Sequence, residues 1–246
     1  MINILSSSAK DPSSDFVQVK RKSGQDNLTW IRENLDDSKD RTALVMVGGK
    51  SPTSFRLRLA QAHVRSDMLP SYWSHVMMLN QAPDAEDFGA TTTLEISLEP
   101  RAGFGNPVPD NGIQQAKLRQ YARRSEYPNI AVLSVPVKFA DVSTAIEKFK
   151  KQRAVLDAVD LIVHWLAYVW GVARSANPLL DGQGIPSSAM LEIVIGACGF
   201  DLTPGLESRS SCPEAIWQAA RWWHEYYQGQ DKPGLTGAYC TDHEIK

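Results

Sequence analysis

Residues 69–79 read Leu69-Pro70-Ser71-Tyr72-Trp73-Ser74-His75-Val76-Met77-Met78-Leu79. Four apolar residues follow His75 directly. A short run of that kind after a polar and proline-containing stretch reads as the start of a buried strand. The imidazole therefore stands at the mouth of the strand, held by the sheet yet close to a loop that a substrate could reach. Imidazole is also the side chain that most readily gives or takes a proton near neutral pH. Everything else in the chain is read for what stands opposite it.

On the C-terminal side a polar loop, Asn80 to Gly89, leads to Thr91-Thr92-Thr93-Leu94-Glu95-Ile96-Ser97-Leu98. Its β-branched residues and period-two alternation predict a strand, with Leu94, Ile96 and Leu98 on one face and Thr93, Glu95 and Ser97 on the other. Paired with the His75 strand as a hairpin, it brings Glu95 near the imidazole. On the N-terminal side Ala43 to Val47 predicts a buried strand ended by Gly48-Gly49. Ser51-Pro52 opens a helix to about Val64, with Phe55, Leu59 and Ala62 inward and Arg56 and Arg58 outward. Gly48-Gly49-Lys50-Ser51 resembles a phosphate loop only loosely, since the upstream glycine of that pattern is missing. No cofactor is implied.

Further out, residues 1–15 read as a mobile N-terminal tail and Phe16 to Val19 as a short edge strand. Asn27 is positioned to cap a helix carrying Leu28, Ile31 and Leu35. The loop from Pro100 to Asn111, with Gly103, Gly105, Pro107 and Pro109, is a candidate cleft rim. A helix is expected from about Gly112 to Arg124, a strand over Ile130 to Val137, and helices over Ala140 to Gln152 and Val155 to Arg174. The last is the most apolar, but Asp157, Asp160 and His164 lie on or near one face of it, so it reads as an amphipathic or buried helix and not as a membrane span. Ser187-Ser188 opens a helix that is apolar nearly all round and ends at Gly199. Ser211-Cys212-Pro213-Glu214 opens a final helix with Trp217, Trp222 and Trp223, and residues 229–246 read as a loose C-terminal tail. The expectation is one α+β domain over residues 16–228: an antiparallel sheet of about five strands packed against helices.

The chain has 246 residues, 43% of them hydrophobic, which is enough for a core without a metal or disulfide staple. A net charge of −2 argues against nonspecific nucleic-acid binding, which needs an excess of Lys and Arg. Cys198, Cys212 and Cys240 have neither disulfide-framework nor zinc spacing, and His63, His164, His224 and His243 have no metal-ligand spacing, so no metal is expected. The serine-rich start lacks the apolar core of a signal peptide. The expected location is cytoplasmic, or secreted by a signal-peptide-independent route.

Three short motifs in this order carry a resemblance. Ser74-His75-Val76 is followed by Leu94-Glu95, and much later by a helix opening on small polar residues and ending in Gly199-Phe200-Asp201-Leu202-Thr203-Pro204. Over roughly residues 42–216 this resembles the circularly permuted branch of the NlpC-type papain-like cysteine hydrolases, which includes the lecithin–retinol acyltransferase relatives. The resemblance implies a permuted papain-like fold and a hydrolase or acyltransferase that cleaves an amide, ester or thioester through a covalent acyl intermediate. The substrate would be a peptide, a peptidoglycan fragment or a lipid acyl group. It also implies His75 as base and Glu95 as the group that orients it.

The position of the family's nucleophilic cysteine falls on Ser187, or on Ser188 with a one-residue shift. An engineered Cys→Ser exchange, a natural serine in an active or inactive protein, and Cys212 as the true nucleophile are the three explanations. A helix N-terminus stabilises a thiolate and makes it reactive near neutral pH. A serine there lacks that low pKa. The alternative is a catalytically inactive binding module that holds a protein partner in its cleft or on its tryptophan surface. Simpler readings stand beside each residue: Ser187 and Ser188 as helix caps, Cys198 as core, Cys212 as a small residue before Pro213, and the Trp217–Tyr227 aromatics as packing.

Overall fold

The structure is a computed structural model in which residues 16–36, 38, 40–80, 86–99, 110–227 and 234–245 are described. The fold is α+β. Its strands are β1 (Phe16–Gln18), β2 (Thr42–Gly48), β3 (His75–Leu79), β4 (Thr92–Glu95), β5 (Gln114–Lys117), β6 (Asn129–Val135) and β7 (Thr236–Thr241). They form one sheet in the order β1-β7-β6-β2-β3-β4-β5. β1 runs parallel to β7, and the other neighbours are antiparallel. The helices are α1 (Asn27–Asn34), α2 (Pro52–Ala60), α3 (Phe139–Lys151), α4 (Ala158–Trp170), α5 (Pro186–Gly196) and α6 (Pro213–Tyr227).

The central strands are apolar on both faces because both faces are covered. Leu44, Met46, Val76, Met78, Leu94, Ile96 and Leu133 project into a large core with the inner faces of α3 to α6. Val45, Val47, Met77, Leu79, Ile130 and Val132 project the other way, into a smaller core closed by Trp30 and Ile31 of α1 and by Leu118 and Tyr121. α5 is sequestered within the large core: Pro186 through Glu192, Val194 and Ile195 are all buried. Glu192 accepts hydrogen bonds from the backbone N–H groups of Leu202 and Thr203, which ties the Phe200-Asp201-Leu202-Thr203 segment back to the helix.

Four expectations are corrected. Among the described residues the sheet has seven strands, where about five are expected. Residues 112–124 are not the expected continuous helix: Asn111 and Gly112 have φ of +50° and +82°, which stops a helix there, β5 then pairs along β4, and beyond it only the short 3-10 turn Leu118–Tyr121 is helical. The Gln, Lys and Arg of that stretch favour helix locally, and strand pairing overrides them. Within the supposed C-terminal tail, Thr236 to Thr241 form β7, inserted between β1 and β6 with Ala238 and Cys240 buried. α2 is also turned about its axis relative to the reading above: Leu57, Arg58 and Ala60 are buried, while Phe55 and Leu59 are 43% and 46% exposed. The N-terminal tail (1–15) and most of the proposed cleft rim (100–109) lie outside the described residues. No described helix is long and apolar enough to cross a membrane.

Candidate functional site

His75 opens β3 and pairs with Val47 of β2. The chain enters the strand across Gly48, where a Cβ would stand 1.9 Å from the Tyr72 carbonyl oxygen, so only glycine permits that approach. Side chains alternate along a strand, so His75 shares the side of Met77 and Leu79, the smaller-core side. Glu95 shares it too, because its neighbours Leu94 and Ile96 face the large core. The β3–β4 register pairs Met78 with Leu94 and so carries Met77 opposite Glu95, with His75 diagonal to it. Long side chains bridge such diagonals. His75 Nε2 lies 2.5 Å from Glu95 Oε2.

The same carboxylate oxygen accepts a hydrogen bond from Tyr121 Oη at 2.5 Å, and the Tyr121 and His75 rings stack with centroids 6.2 Å apart. Asn27 steadies the tyrosine by donating to the Tyr121 and Tyr127 carbonyls. Glu95 is fully buried, whereas the His75 side chain is 13% exposed. With Nε2–H donating to the carboxylate, Nδ1 is left as an acceptor that no group occupies among the described residues. Nδ1 is not among the sealed, unpartnered polar atoms, so it reaches solvent. The unit Tyr121–Glu95–His75 is thus an imidazole held in one tautomer by a buried carboxylate, able to take a proton at Nδ1.

Ser187 approaches from the other core. The register places Val76 opposite Ile96, where a backbone ladder bond would normally run from the Ile96 N–H to the Val76 carbonyl. That bond is replaced: Ile96 N–H donates to Ser187 Oγ at 3.3 Å, and Ser187 Oγ–H donates to the Val76 oxygen at 2.6 Å. The first turn of α5 is thereby wedged into the β3–β4 seam, one residue from His75 and one from Glu95. The structure brings those three segments together. It does not join the Ser187 hydroxyl to the imidazole, because the hydroxyl's proton is committed to Val76.

Ser188 Oγ is buried without a hydrogen-bond partner. Cys212, on the large-core side, is 1% exposed, and burial pushes its thiol up to about 12. Neither is bonded to His75. Arg65 and Asp67, upstream of β3, form a two-point ion pair with each other. Among the described residues no group of three or more His, Cys, Asp and Glu side chains could hold a metal ion.

Sequence reading missed Tyr121, hidden inside the supposed helix; its placement depends on β5, which carries no strong local signal. Arg58, which the sequence pattern places on the outside of α2, lies instead at its buried side. Compared with protein-family models, curated proteins and solved structures, the chain matches none.

Proposed function

We propose that the protein is a binding module on a permuted papain-like scaffold and forms no covalent acyl intermediate. The Ser187 hydroxyl carries this reading. It is fully buried and is spent bridging Val76 and Ile96. A nucleophile needs a lone pair free to meet a carbonyl and a base ready to take its proton. The other two candidates are no better placed, since Ser188 is sealed in and the Cys212 thiol stays protonated through the physiological range. A protein partner is favoured by large side chains left outside on α4 and α6: Val163 and Trp170 are each 58% exposed and Tyr226 is 51% exposed. Trp and Tyr are enriched where proteins recognise one another.

The hydrolase or acyltransferase reading is favoured by one observation of its own, the oriented imidazole with Nδ1 open to solvent beside the seam that Ser187 occupies. In that reading Ser187 leaves its bridge, passes its proton to His75 and attacks an amide, ester or thioester carbonyl. The C–N, C–O or C–S bond then breaks, the imidazolium gives the proton to the departing amine, alcohol or thiol, and Glu95 steadies the imidazolium meanwhile.

One experiment separates the two. The protein is incubated with a serine-directed fluorophosphonate and, separately, with a cysteine-directed acylating probe, and adducts are mapped by mass spectrometry. The binding reading expects no adduct on Ser187, Ser188 or Cys212. An adduct on Ser187 that disappears in His75→Ala overturns it in favour of the enzyme.

A further inference from the structure

Arg58 is a buried cation whose partners are all neutral. Its Nε donates to the Ser71 carbonyl at 2.6 Å, one terminal nitrogen meets His243 Nδ1 at 3.1 Å, and the other donates to the His243 carbonyl at 3.1 Å. Among the described residues no carboxylate pairs with it. An uncompensated buried charge is costly unless something answers it. Arg58 lines a cavity of about 360 Å³ together with Lys50, Phe55, His243, Glu244 and Ile245.

The wall is built, not incidental. Asn129 accepts from the backbone N–H groups of Asp242 and His243 and donates to the His243 and Tyr72 carbonyls, which fixes the strand-exit segment over Arg58. His243 Nδ1 accepts a hydrogen bond from Arg58, so its ring is neutral in this arrangement; burial, with Arg58 and Lys50 nearby, also pulls its pKa down. Glu244 is engaged with the Tyr72 hydroxyl at 3.1 Å. Among the described residues that line the cavity, the two cations Arg58 and Lys50 face one carboxylate, Glu244, which leaves one positive charge in excess. Phe55 and Ile245 supply an apolar flank.

We propose that this cavity binds a small organic monoanion, a carboxylate carrying an apolar body. The Lys50 ammonium meets the carboxylate at the mouth. Arg58, buried in the wall, acts through its uncancelled field, which low-dielectric surroundings transmit well. The single excess charge selects a monoanion over a phosphate dianion, and the apolar flank selects a ligand with a hydrocarbon part over a bare ion. This site stands independently of whether Ser187 ever acts as a nucleophile.

The probe is hexanoate, titrated into the full chain and followed by backbone amide NMR, with hexanamide as its neutral counterpart and inorganic phosphate as the dianion. Hexanoate should saturate in the millimolar range expected of so few atoms and shift the amides of Phe55 and Ile245. Hexanamide should bind at least about ten-fold more weakly, the loss expected when a charge-assisted contact becomes neutral. Lys50→Met should weaken hexanoate about three-fold and Glu244→Gln should tighten it by about the same factor, as partly exposed charges do. Arg58 is left intact, because truncating it strands Ser71 and His243. The proposal is overturned if hexanoate produces no saturating shifts, if the amide binds as well, if phosphate binds more tightly, or if both variants bind as the parent does.

Discussion

The Ser187 hydroxyl donates to the Val76 carbonyl at 2.6 Å and accepts from the Ile96 N–H, taking the place of one rung of the β3–β4 ladder. Its neighbour Ser188 is equally buried but has no partner. The two serines should therefore behave differently when truncated. Ser187→Ala leaves a buried N–H and a buried carbonyl facing each other across a gap, and should cost about 1–3 kcal/mol. Ser188→Ala removes an unsatisfied hydroxyl and should be neutral or stabilising. Urea denaturation of both variants checks this, and equal losses would remove the bridge from the account.

The buried carboxylate of Glu95 serves two donors at one oxygen, the His75 ring and the Tyr121 hydroxyl. Glu95→Ala leaves both without their acceptor and should cost about 2–4 kcal/mol, near the loss seen when one member of a buried polar set is removed. Tyr121→Phe keeps the ring in the smaller core and removes one bond, so it should cost about 1 kcal/mol. A double-mutant cycle between Tyr121→Phe and His75→Ala measures whether the three act as a unit. Strict additivity would show that they do not.

Much of this was legible in the chain, for identifiable reasons. The runs before Gly48 and after His75 are apolar on both faces, so they announce strands whatever surrounds them. The β3–β4 hairpin follows from period-two alternation, and with it the meeting of His75 and Glu95. What escaped depends on partners distant in sequence. β5 is composed of helix-favouring residues and becomes a strand only because β4 offers an edge. β7 is six residues with glycine in it, legible only once β6 is known to need a neighbour. Arg58 reads as a surface residue by type, and its burial is set by the His243 carbonyl arriving from the far end of the chain. The bridge that Ser187 makes between Val76 and Ile96 was illegible for a related reason: a capping residue and a ladder substitute look alike until the strand register is known.

Cys212 and Cys198 offer a contrast in thiol chemistry. Burial raises both, to about 12 for Cys212, while Cys198 keeps partial exposure near the end of α5. The thiolate is the reactive species, so Cys212 should resist iodoacetamide in the native state at neutral pH while Cys198 reacts slowly. Both should alkylate fully in denaturant. Peptide mapping after timed alkylation distinguishes them, and rapid native labelling of Cys212 would mean that α6 opens at its first turn.

Glu192 links the end of α5 to the pH dependence of the fold. Burial raises its carboxyl from 4.5 to about 7, with Asp201 nearby pushing the same way and the Thr203 N–H opposing. A raised acid holds its proton in the native state at pH values where the unfolded chain has already released it. Stability from this group is therefore complete below about pH 4.5 and is lost as pH climbs towards about 7, by an amount on the order of 3 kcal/mol. Glu214, also buried and raised, adds a slope of the same sign. Glu192→Gln keeps an oxygen for the Leu202 and Thr203 N–H groups and cannot ionise. Its unfolding free energy should fall less steeply than the parent's between pH 5 and 7, and the difference between the two slopes isolates Glu192 from Glu214. Parallel slopes would mean that Glu192 is already charged in the folded protein, and that the two backbone N–H groups outweigh the cost of burying it.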